Sequence, residues 1–160
     1  YRARGAHQDI LDVSVVSPTP GDVAVYVLMA GGTLPSSTIL DDVFARVDAE
    51  KSRPLSDTVT VSAPEQISYD VDITYYIGTA ISTRAAAIQD AVEKAVDEYI
   101  LWQKSKIGRD INPSELIRRV QQAGAKRVEV TSPAGFQALD LTQVAADGSK
   151  TVTYGGLEDG

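Results

Sequence analysis

Between Gln66 and Ile77 the chain alternates without a break. Ile67, Tyr69, Val71, Ile73, Tyr75 and Ile77 fall on one side, and Ser68, Asp70, Asp72, Thr74 and Tyr76 on the other. A period of two held for that length predicts a half-buried strand and argues against a helix. The next periodic stretch is helical. From Arg84 to Lys104, Ile88, Val92, Ala95, Val96, Tyr99 and Gln103 recur at i, i+3, i+4 spacing, flanked by Ile100 and Trp102. Asp90 and Lys94 are spaced for an i, i+4 pair, and Gly108 is a plausible stop.

Upstream, Val13–Val16 and Val23–Met29 flank the turn-rich Ser17-Pro18-Thr19-Pro20-Gly21-Asp22. They read as a β-hairpin with a longer loop. The second run is apolar on both faces, which suits a strand covered on both sides. Gly31-Gly32 ends it. Pro35-Ser36-Ser37 supplies helix-start chemistry, and Ile39, Leu40, Val43, Phe44 and Val47 follow at helical spacing, with a stop expected before Pro54. Thr58–Val61 reads as a strand closed by Pro64. Asn112-Pro113-Ser114-Glu115 places Asn at a cap, Pro at the first helical position and Glu at the third, ahead of Leu116, Ile117 and Val120, with Gly124 as the end. Arg127–Thr131 reads as a strand. Residues 133–147 carry no clear pattern, Asp147-Gly148 reads as a turn, Thr151–Tyr154 as a short last strand and Gly155–Gly160 as a tail.

Three stretches run from alternating Val into Ser and Pro: Val13–Pro18, Val59–Pro64 and Val128–Pro133. Pro cannot donate to a ladder, so each marks a strand end, and the first two read as a strand followed by a hairpin turn. The expectation is an α+β fold of two tandem small β–β–α lobes, 1–64 and 65–160, with helices packed on mainly antiparallel sheets. The second lobe would hold the long helix and the tail.

Few residues suggest chemistry. The net charge is -7, against the basic balance a nucleic-acid binder needs. Arg118, Arg119, Lys126 and Arg127 are the densest basic cluster, and they read as solvated helix ends. There is no cysteine, so disulfides and thiolate sites are excluded. No apolar run approaches the roughly 18 residues that span a bilayer, and no signal peptide is visible. The chain begins at Tyr1, which suggests that it continues from residues upstream. The lone histidine, His7, lies in a polar terminal segment, a poor setting for a Ser-His-Asp arrangement. Asp70 and Asp72 share a strand face without a coordination loop beside them. Gly31-Gly32 lacks the remainder of a phosphate-loop motif. No cofactor or metal site is expected. Candidate contact residues are Trp102 and Leu101 at an apolar helix end, Tyr76 opposite Tyr75 on the long strand, and Arg109, which with Asp110 reads as an ordinary loop, an ion pair or an interface clamp.

Several of these stretches resemble one family. Asp12–Gly21 followed by Val23–Leu28 is similar to the Ser-Pro-x-Pro-Gly segment of baseplate J-like proteins. Arg53–Pro64 resembles that family's RPLTDxVxVxAP stretch, and Ile107–Leu116 its G-x-D-I-x-x-S-x-L segment. Thr151–Leu157 is also similar, and residues 133–147 match least. The resemblance is to the C-terminal part of a longer protein. It implies a non-enzymatic wedge component of a contractile phage-tail baseplate, or of a related injection device, assembled in the bacterial host cytoplasm. The implied partners are other wedge and hub proteins and further copies in a six-fold arrangement, without nucleic acid or a membrane span. Two other readings stand beside it: a small-molecule-binding regulatory α+β module, and an enzyme using Asp70, Asp72 or Glu115.

Overall fold

The computed structural model describes residues 7–50 and 58–160, with the side chains of residues 49 and 50 left aside. Six strands and three helices follow one another: β1 (Ile10–Val16), β2 (Asp22–Met29), α1 (Ser37–Glu50), β3 (Thr58–Ser62), β4 (Glu65–Gly78), α2 (Ala85–Gln103), α3 (Pro113–Gln122), β5 (Arg127–Ser132) and β6 (Gln143–Glu158). They form two three-stranded sheets, ordered β1-β2-β3 and β5-β4-β6. The α+β class expected from the sequence is the class observed.

The chain divides into two compact units, and neither is one continuous stretch. The first takes residues up to Ile67 together with Lys104–Arg109 and Leu139–Ala145. The second takes Ser68–Gln103, Asp110–Ala138 and Ala146–Gly160. A single cut at 64/65 would separate the two short segments from the unit they complete.

In the first unit β1 and β2 form the expected antiparallel hairpin, with Val13 opposite Val27 and Val15 opposite Val25. The expected hairpin between Thr58–Val61 and the long strand does not form. β3 pairs parallel to β2 instead, with Val59 beside Val23 and Val61 beside Val25. The intervening α1 explains this, since a helical crossover brings the chain back to run in the same direction. Ser36 starts α1, its Oγ accepting from the Ile39 amide at 3.3 Å. The stop expected before Pro54 lies outside the described residues. Val43 and Val47 of α1 pack on Val25, Val27 and Met29. Leu28, on the opposite face of β2, packs on Ile107 and Val144. β2 is therefore covered on both sides, as its unbroken apolar run predicts. The second cover is tied down by polar contacts: Asp12 Oδ2 accepts from the Ile107 amide at 2.9 Å, and Ser14 Oγ donates to the Leu141 carbonyl at 2.6 Å.

In the second unit the alternation of β4 is realised. Tyr69, Val71, Ile73, Tyr75 and Ile77 are buried, while Asp70 is exposed and Tyr76 half-buried. β5 lies antiparallel to it, with Thr74 opposite Glu129 and Tyr76 opposite Arg127. The inner face of α2 buries Ile88, Val92, Ala95, Val96, Tyr99, Ile100 and Gln103. Helix α3 has the start read from its sequence: Asn112 accepts from the Ser114 amide at 3.1 Å, and Pro113 opens the helix. Its exit is closed when Ala125 donates to the Val120 carbonyl at 3.3 Å, with Gly124 at φ 124 between them.

Gln103 is fully buried, the one polar side chain among the buried described residues. Its Oε1 accepts from the Tyr99 hydroxyl at 3.0 Å and from the Asn112 amide at 3.2 Å, and its Nε2 donates to the Asp110 carbonyl at 2.7 Å. The Tyr99 hydroxyl also lies 3.1 Å from the Asn112 carbonyl. One amide thus closes the end of α2 and holds the entry to α3. Helix α2 accordingly stops at Gln103, within one residue of the Arg84–Lys104 span read from the sequence and ahead of the glycine stop at Gly108.

The largest correction concerns the C-terminus. The expected turn at Asp147-Gly148, short strand and tail are one strand, β6, running from Gln143 to Glu158. Gly148 and Gly155 answer to a neighbour, not to a turn, whereas Gly156 takes a positive φ of 112 in open space. A Cβ on Gly148 would overlap Asp70 Oδ1, and one on Gly155 would lie 2.7 Å from Cζ of Tyr76. Close approach of another strand is the second use of strand glycine. These contacts climb both strands in the same direction, so β6 runs parallel to β4, and each sheet contains one antiparallel and one parallel pair.

Two stability outcomes follow. Gln103→Leu keeps the volume but leaves the Asn112 amide and Asp110 carbonyl unpaired, so urea denaturation should show a loss of about 2–4 kcal/mol. Gly155→Val forces a branched side chain into the Tyr76 ring and should cost about 1–3 kcal/mol by the same measurement.

Candidate functional site

Leu101 and Trp102 sit side by side near the end of α2 and have different surroundings. Leu101 is 54% exposed and points outward. Trp102 is half-buried, its ring 6.0 Å from that of Tyr99, with the Arg119 guanidinium 5.5 Å from its centroid. Arg119 is itself held by Glu115 at 3.0 Å. Trp102 is thus partly spent on joining α2 to α3, and Leu101 is the freer surface. Tyr76 lies on the outer face of β4 under the Arg127 guanidinium, 4.1 Å from its ring, whereas Tyr75 is buried against Tyr154 at 5.5 Å. The opposite placement of the two tyrosines matches the strand period. Arg109 belongs to the first unit, where its Nη1 donates to Ser105 Oγ at 3.0 Å. The four candidates therefore include one adjacent pair, Leu101 and Trp102.

The groups that might carry chemistry are occupied locally. His7 Nδ1 accepts from the Asp9 amide at 3.2 Å, a turn contact two residues away. Asp70 Oδ1 accepts from the Ser149 amide at 2.9 Å, which ties β4 to β6. Glu115 is held by hydrogen bonds from Arg118 and Arg119, which keep its carboxyl below the usual range, the opposite of what a general acid needs. Among the described residues no cluster of three or more His, Asp and Glu is placed to hold a metal ion. The basic cluster is neutralised throughout: Arg118 and Arg119 by Glu115, Lys126 by Glu158, and Arg127 by Glu158 and Glu129. Gly32 is packed against Lys104, not around an anion.

Two open grooves lie within the second unit. One, of about 310 Å³, runs between α2 and α3 and is lined by Ala91, Ala95, Glu98 and Arg118 among others. The other, of about 470 Å³, lies beside the 133–137 loop, where Phe136 is 63% exposed. Phe136 and the half-exposed Leu157 are surface apolar groups that sequence reasoning missed, because their segments lack a readable period. The ion pairs of Glu158 with Lys126 and Arg127, and of Lys150 with Glu93 and Asp97, join residues far apart in sequence and leave no local signal.

The candidate chemical groups are thus held in local pairs, and comparison with known proteins gives the family. A family model described as the Baseplate J-like protein C-terminal domain matches residues 71–154, and one described as the Baseplate J-like central domain matches residues 1–63. The chain belongs to the baseplate J-like family. The sequence motifs fall within both matches, Asp12–Leu28 and most of Arg53–Pro64 in the central domain and Ile107–Leu116 in the C-terminal one. Baseplate protein J of Escherichia phage P2 is 29% identical over 160 residues, covering 99% of this chain and 52% of that protein. The chain therefore spans about half the length of that relative. A chain in the six-fold symmetrised cryo-EM structure of the anti-feeding prophage baseplate superposes with a TM-score of 0.59 at 15% identity, over 91% of this chain and 35% of that one. At that identity the likeness is one of fold.

The ion-pair network on β6 makes a pH prediction. Hydrogen bonds from Arg127 and then Lys126 hold Glu158 down to about 2, against an ordinary value of 4.5. Between those values the folded chain keeps Glu158 ionised while the unfolded chain protonates it. Its contribution is present above about 4.5 and is lost as the pH falls toward about 2. Urea midpoints across this window should therefore depend less steeply on pH in Glu158→Gln than in the native chain.

Proposed function

We propose that this chain is a structural component of a contractile-tail baseplate wedge and acts through protein–protein contacts. The observation that carries the reading is the match to two consecutive baseplate J-like domains, which together take in most of the chain. The phage P2 relative, named as a baseplate protein, supports it, as does the fold shared with a chain of a prophage baseplate. A non-enzymatic role accords with carboxylates engaged in structural pairs and with grooves that are open, not enclosed. The proposed partners are other wedge and hub proteins and further copies of the chain in a six-fold assembly. Its place is the tail baseplate, after assembly in the host cytoplasm. No helix among the described residues is long and apolar enough to cross a membrane.

Leu101 and Trp102 are the favoured contact residues. An exposed leucine beside an aromatic ring and an arginine has the composition of an interface centre. Tyr76 and Arg109 would contribute at other points. The test is co-purification of the full-length protein with the products of neighbouring tail genes. A stable multi-protein complex is expected, and Leu101→Glu should reduce recovery of partners about tenfold or more if the residue is a hot spot, with the thermal midpoint unchanged. A monomer that binds no neighbour yet binds a metabolite tightly would overturn the reading.

A further inference from the structure

β6 forms one edge of the second sheet. One side of the strand pairs with β4, which leaves the main-chain N–H and C=O groups of the other side facing outward. Among the described residues, no main-chain hydrogen bond from an element outside the sheet reaches Thr151–Leu157. Thr151, Thr153, Gly155 and Leu157 are exposed there. The opposite edge is guarded: β5 carries Arg127 and Glu129 and runs into Pro133. β6 has no such protection. From Thr151 to Leu157 it has neither a charged residue nor a proline, and its charges stand at the two ends, Lys150 on one side and Glu158 on the other.

That charge pattern is complementary to itself when reversed. We propose that β6 pairs antiparallel with β6 of a second copy, about a two-fold axis at Tyr154. In this register Lys150 of each copy, which also pairs with Glu93 and Asp97 of its own chain, lies opposite Glu158 of the other, which also pairs with Lys126 and Arg127, so the contact extends two existing ion-pair clusters at the ends of the uncharged run. Thr151 lies opposite Leu157, and Val152 and Thr153 lie opposite Gly156 and Gly155, which carry no side chain to obstruct them. The second sheets of two copies join into one continuous sheet of six strands, and the contact is isologous. The net charge of -7 on each copy opposes association elsewhere on the surface, whereas this stretch brings no like charges together. The inference rests on the reading of the chain as one that contacts its own copies, and it does not require Leu101 or Trp102.

The absence of cysteine makes the register directly testable. Full-length Thr151→Cys and Leu157→Cys proteins, mixed and oxidised, should give a disulfide-linked dimer, because directly opposed residues of antiparallel strands lie within disulfide reach. Neither variant alone should do so, since in this register like positions are several residues apart. Sedimentation equilibrium of the native chain should show a concentration-dependent dimer that is lost in Thr153→Lys, an exposed position where lysine blocks edge pairing. A monomer at every concentration, a dimer that survives Thr153→Lys, or cross-linking as strong in the separate variants as in the mixture would each overturn the proposal. If Thr153→Lys fails to fold, the cross-linking result decides. Loss of the β6 contact with wedge co-purification intact would leave the baseplate reading standing, so the two failures are distinguishable.

Discussion

The second unit depends on a carboxamide in an apolar surrounding. Gln103 is as deeply buried as the valines and isoleucines beside it, and it carries three hydrogen bonds into Tyr99, Asp110 and Asn112. A buried amide without partners is costly, and one with partners restricts what the chain around it can do. Here it decides where α2 ends, how residues 110–112 turn and where α3 begins. The Asn112 cap is held from both sides, its side chain serving α3 and its amide serving Gln103. Leu116 and Val120 can then face the core because the first turn of α3 is fixed.

Where local chemistry decides an element, the sequence is readable. The period of two in β4 selects the buried face correctly from Tyr69 to Ile77, and the helical stripe of α2 includes Gln103 among its buried positions. Asn112-Pro113 and Ser36 mark helix starts through side-chain oxygens that are present in the sequence itself. β6 was not readable for the same kind of reason in reverse. Asp147-Gly148 and Gly155-Gly156 have the grammar of turns, and the reason for Gly148 and Gly155 lies on β4, far away along the chain. β3 was recognised as a strand and given the wrong neighbour, because strand propensity does not name a partner.

The candidate contact residues divide similarly. That Tyr75 and Tyr76 face opposite ways follows from the strand period alone. How much of Trp102 is committed inside depends on Arg119 and Tyr99, which pattern reading does not place beside it. The basic cluster, unremarkable in sequence, is paired with Glu115 and Glu129, which are close along the chain, and with Glu158, which is far away. An acidic protein whose described arginines in this cluster are all paired presents shape and apolar contact in place of an unsatisfied positive field.

The discontinuous make-up of the first unit bears on how the chain is born. Leu28 on β2 is covered by Ile107, which follows Ser68–Gln103 of the second unit, and by Val144, which leaves the ribosome only after most of that unit has been synthesised. Until then the hairpin presents a bare apolar face to solvent. Contacts at such sequence separation are slow to form, and an uncovered strand face is a place where nascent chains aggregate. The unit that begins first therefore stays open until residues 139–145 arrive, and its completion waits on a short segment far along the chain.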